Sequence, residues 1–129
     1  MTASRAHYYD AFGLLIASDF PLHELRAGEP SRAPDLTICN HPIGRALPTR
    51  EKGVVMDYTD PDGVVMAWPE VAGFRFADDK TIWAEKPDAT TDRMLAFPLL
   101  GPVMAWALHM RGLFVLHAST VDVNGRTIA

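Results

Sequence analysis

With 129 residues, 48% of them hydrophobic and 22% charged, the chain can bury one real core but not two independent ones, and its composition excludes wholesale disorder. A formal net charge of −4 without any run of Lys and Arg argues against nucleic acid or an anionic membrane surface as a partner. The lone cysteine, Cys39, leaves no intrachain disulfide and suits a reducing, cytoplasmic setting; the first apolar run, Ala11–Ala17, is too short and too closely bracketed by Asp10 and Asp19 to be a signal peptide.

Aromatic and β-branched residues over Tyr8–Ser18 predict a single first strand, bent at Gly13. Gly, Pro, Ser and charged residues between Arg26 and Pro34 mark a loop, and Leu36–Cys39 alternates as a short second strand. The stretch His41–Gly53, with two prolines, two glycines and four charges, reads as a surface loop. Val54–Tyr58 and Val64–Trp68 flank Asp60-Pro61-Asp62-Gly63, where proline presets φ and glycine accepts a positive one, so a hairpin is expected. A second hairpin is expected from Phe74–Ala77 and Thr81–Glu85 around Asp78-Asp79-Lys80. The first two-thirds therefore reads as short antiparallel strands.

The pattern then changes. Thr90, Thr91 and Asp92 are good helix-capping types, and Met94–Met110 is almost wholly apolar. Pro98 and Pro102 fit only the first turn of a helix, so the main helix is placed over Leu99–Arg111, after a kinked turn and before the capping Gly112. It is shorter than the roughly 20 residues that a membrane span needs. Being apolar all round, it should be covered on more than one side, or else drive formation of a homo-oligomer. Leu113–Leu116 reads as a strand buried on both faces. Thr120–Val123, Asn124-Gly125 and Arg126–Ala129 carry the strongest short hairpin signal.

The chemistry-bearing residues do not assemble into a familiar site. Asp60 and Asp62 fit part of a calcium loop, but Tyr58 and Pro69 occupy its first and last positions, and the hairpin turn accounts for the cluster better. His7, His23, His41, His109 and His117 show no metal-ligand spacing, and Cys39 with His41 is only half of a site. Trp68, Trp83 and Trp106 read as core rather than as a stacking platform. Neither G-x-x-x-x-G-K-[S/T] nor G-x-G-x-x-G occurs.

Three blocks nevertheless form a pattern: Leu99-Leu100-Gly101-Pro102, then Leu108-His109-Met110-Arg111-Gly112, then Leu116-His117-Ala118-Ser119-Thr120-Val121-Asp122-Val123-Asn124-Gly125-Arg126. Together they resemble the segment that precedes the P-loop in HPr serine kinase-like proteins. Tyr9-Asp10-Ala11-Phe12-Gly13-Leu14 and Phe20-Pro21-Leu22 are similar to the start of such proteins. The resemblance implies that the strand after the Asn-Gly turn runs into a phosphate-binding loop, followed by an acidic base and magnesium ligands, all beyond Ala129. It also implies that His117 matches a histidine close to the phosphates of ATP. Catalytic and metal-binding residues are then expected to be absent from this chain, which is read as the front part of an ATP- and magnesium-dependent kinase acting on a serine or threonine of a protein or peptide.

The expected fold class is α+β: a β-rich domain over residues 1–88, then over 89–129 one apolar helix and the first strands of a P-loop kinase-like core. The alternatives are a non-catalytic β-rich module that binds a peptide or partner, and a truncated remnant without activity.

Overall fold

The computed structural model describes residues 6–128. Its fold is mixed α+β, a large sheet carrying one kinked helical layer. The strands are β1 (His7–Ala11), β2 (Leu14–Ser18), β3 (Arg26–Ala27), β4 (Leu36–Asn40), β5 (Val55–Asp57), β6 (Val65–Trp68), β7 (Ala72–Phe76) and β8 (Thr81–Glu85). They form one eight-stranded sheet in the order β3-β1-β2-β4-β8-β7-β6-β5.

Two sequence expectations change here. Tyr8–Ser18 is a hairpin rather than one bent strand, because Phe12 and Gly13 both take positive φ (57° and 74°) and reverse the chain in two residues. The sheet is also not purely antiparallel: β2 pairs parallel to β4, and β4 parallel to β8. A parallel neighbour requires a crossover, which the excursion between Ser18 and Leu36 supplies. Two aspartates close the ends of this parallel seam. The Asp35 carboxylate accepts the Leu15 N–H at 2.8 Å, and that of Asp19 accepts the Asn40 N–H at 2.8 Å. Both hairpins expected around Asp60–Gly63 and Asp78–Lys80 are present, as β5–β6 and β7–β8.

Alternation along the strands sends Tyr9, Ile16, Leu36, Ile38, Met66, Phe74, Phe76, Ile82 and Ala84 into one core. The helical layer closes it. Helix α1 (Asp92–Pro98) starts on Thr91, whose hydroxyl accepts the Met94 N–H at 3.2 Å. A wide turn, Leu99–Val103, breaks at Gly101 (φ −97°, ψ −109°), and α2 (Met104–Met110) follows. The helix therefore begins at the Thr91 cap rather than at Leu99, and Pro102 marks its interruption. Leu95, Leu99, Val103, Met104, Ala107 and Leu108 face the sheet, while Phe97 on the opposite side is 82% exposed. The layer is covered on one side only. Gly112 (φ 81°) ends α2 by donating to the His109 carbonyl at 2.9 Å, and the Arg111 guanidinium donates to the Asp35 carbonyl, tying the helix end to the start of β4.

Leu113–Leu116 is not a buried strand. Among the described residues it pairs with neither sheet edge, and Phe114 is 88% exposed. An apolar run becomes a buried strand only when neighbours flank it, and the two edges here are β3 and β5. The Asn124-Gly125 hairpin does form, as β9 (Val121–Val123) and β10 (Arg126–Ile128), with both turn residues at positive φ (51° and 78°). It is a separate two-stranded sheet, exposed throughout, and the Ala129 end of the expected return strand lies outside the described residues.

Among the described residues no helix covers the opposite face of the large sheet. Part of it is closed by the loop after β4, which lays Ile43, fully buried, over Gly73 in β7. A Cβ at Gly73 would lie 2.6 Å from both the Ile43 Cδ1 and the Leu47 Cδ2. Gly73→Ala should therefore overpack this contact and destabilise the fold by about 1–3 kcal/mol. A chemical denaturation midpoint unchanged by the substitution would contradict the packing.

Candidate functional site

His117 is the one residue that the sequence singles out for ligand contact. It lies in the extended segment after Gly112 and is exposed. It lines a hollow of about 530 Å³ together with Phe12, Leu100, Gly101, Pro102 and Leu108. Phe12 arrives from the β1–β2 turn, where its positive φ throws the side chain outward, and the next three come from the break in the helical layer. The β1–β2 turn thus meets the helical layer and the segment that follows it at one place. On its other flank, His117 borders a second hollow of about 550 Å³ with Met56, Tyr58, Trp106, His109 and Phe114.

The chemistry available there is limited. Among the described residues His117 carries the only titratable side chain lining the first hollow; the other side chains there are apolar. Among the described residues no group of three or more His, Cys, Asp or Glu side chains could hold a metal ion. A magnesium-bound triphosphate needs backbone N–H donors from a glycine-rich loop, a lysine and carboxylate ligands, and this hollow offers none of them. The residues present do not fit ATP with magnesium, and an imidazole alone cannot orient a triphosphate.

The second hollow is aromatic. The Trp106 ring lies 4.9 Å from that of Tyr58, just after β5, and 5.4 Å from that of His109 on its own helix. Trp68 packs edge-on to Phe74 at 5.9 Å, and Trp83 stacks on His41 at 4.1 Å. His41 also sets Nδ1 against the Pro42 carbonyl at 2.7 Å. Cys39, two residues before it, is half-buried, and burial first, then Asp19 and Asp78, push its thiol pKa up. That is the opposite of a reactive thiolate.

The densest polar cluster is one that sequence reasoning recognised only as a turn. Arg75, 4% exposed, donates Nε to the Ile43 carbonyl at 2.7 Å and Nη1 to Asp60 Oδ1 at 2.8 Å and to the Gly63 carbonyl at 3.2 Å. Arg45 bridges Asp57 at 2.9 Å and Asp60 at 3.3 Å. The Asp60 and Asp57 carboxylates also accept the turn amides of Asp62 and Thr59. Both oxygens of the Asp57 and Asp60 carboxylates are already engaged by guanidinium, hydroxyl or backbone groups. The signal in the sequence was an arginine between Phe74 and Phe76, which alternation turns away from the core and onto the back face.

No family model, curated protein or solved structure matches the chain.

The cluster has a pH signature. Hydrogen bonds from Arg75, then from the Asp62 amide, lower the Asp60 pKa from the usual 3.8 to about 2, against a smaller opposing effect of burial. Asp57 is lowered chiefly by Arg45, and Asp35 chiefly by the Leu15 amide. A carboxylate depressed in the folded state stabilises it above its unfolded value, and that stability disappears as protons bind. Stability should therefore be complete above the usual carboxylate value of 3.8 and fall steadily as the pH drops through about 2. Equilibrium unfolding followed across that range checks this, and Asp60→Asn should lower stability at neutral pH while flattening the acid limb. An acid limb as steep in Asp60→Asn as in the parent would remove Asp60 from the account.

Proposed function

We propose that this chain is the N-terminal part of an HPr serine kinase-like protein. The intact protein phosphorylates a serine or threonine hydroxyl of a protein or peptide in the cytoplasm, using ATP and magnesium, without nucleic acid or membrane as a partner. The observation that carries the reading is the convergence at His117. Phe12, the Leu100-Gly101-Pro102 break, Leu108 and the His117-Ala118 pair come from the separate blocks on which the resemblance rests, and they line a single hollow. The form of the C-terminal arm also supports it. The arm bears a hairpin and an apolar run, with Phe114, Leu116, Val121 and Ile128 all exposed, as the first strands of a second core would be. Consistent with the setting, among the described residues no helix is long and apolar enough to cross a membrane.

On this reading the chain supplies scaffold, and the phosphate loop, the base and the magnesium ligands belong to residues after Ala129. By itself the chain catalyses nothing. Reading the coding sequence beyond Ala129 tests the proposal most cheaply: a G-x-x-x-x-G-K-[S/T] should follow within about a dozen residues. A stop codon immediately after Ala129 would sink it. Titration calorimetry of this chain with Mg-ATP should show no saturable heat, and clear saturation would place the nucleotide site elsewhere than proposed.

A second reading has one observation in its favour. The sheet edge at β5 is flanked by exposed Val54, Met56 and Tyr58, next to the aromatic hollow. An extended peptide could add to that edge as a further strand, making the chain a binding module rather than an enzyme part. Saturable binding of an extended peptide without ATP, lost when β5 is disrupted by Met56→Pro, would favour the module.

A further inference from the structure

We draw no further inference here: the strongest candidate, the apolar face that Phe97, Phe114 and Leu116 expose along the kinked helix and the extended segment after it, carries nothing beyond the reading already proposed, because nothing in the structure shows what covers it.

Discussion

A sheet of eight strands has two faces to keep from water, and this chain brings one kinked helical layer to the task. The second face is closed in part by the loop that follows β4, held by Arg75. That guanidinium binds the Ile43 carbonyl on one side and the Asp60 carboxylate on the other, and so couples the loop to the β5–β6 turn. Gly73 makes room for Ile43 beneath it. A buried arginine without its carboxylate would leave an uncompensated charge, so the turn, the loop and the sheet stand or fall together. What sequence alone presents as three separate loops and hairpins is, physically, one clamp on the back of the sheet.

The helical layer faces the opposite problem. It buries Leu95, Leu99, Val103, Met104 and Leu108 against the sheet, and the break at Gly101 bends it to follow the core. The same break, with Pro102, opens the hollow that His117 and Phe12 also line. The arm after Gly112 then leaves the fold with its apolar side chains exposed.

Much of this was legible in the sequence where the cause is local. The turns at Asp60-Pro61-Asp62-Gly63 and Asn124-Gly125, the Thr91 cap and the Gly112 stop all rest on the backbone preferences of a few residues, and all are present. The Phe12-Gly13 reversal was not legible, since a phenylalanine at φ 57° defies its own preference. Parallel pairing of β2, β4 and β8 was also hidden, because it depends on where a long excursion returns rather than on any residue in the strands. Leu113–Leu116 was misread for a related reason: apolar composition states what a segment would bury against, not whether a partner is at hand. The candidate site divides the same way. His117 was visible through its motif, whereas Phe12 beside it and the Arg75–Asp60 clamp required three-dimensional neighbours to be recognised.

The sheet and its helical layer form one cooperative unit, while the arm from Leu113 to Ile128 lies outside that unit's core. Amide hydrogen exchange on this chain tests it residue by residue. Strong, shared protection is expected across β2, β4, β7, β8 and the buried side of α1 and α2, with Phe114–Leu116, whose amides have no backbone acceptor among the described residues, exchanging at nearly the free-chain rate. Protection of Phe114–Leu116 equal to that of Phe74 in β7 would contradict it, because those residues would then have to be buried in this chain's own core.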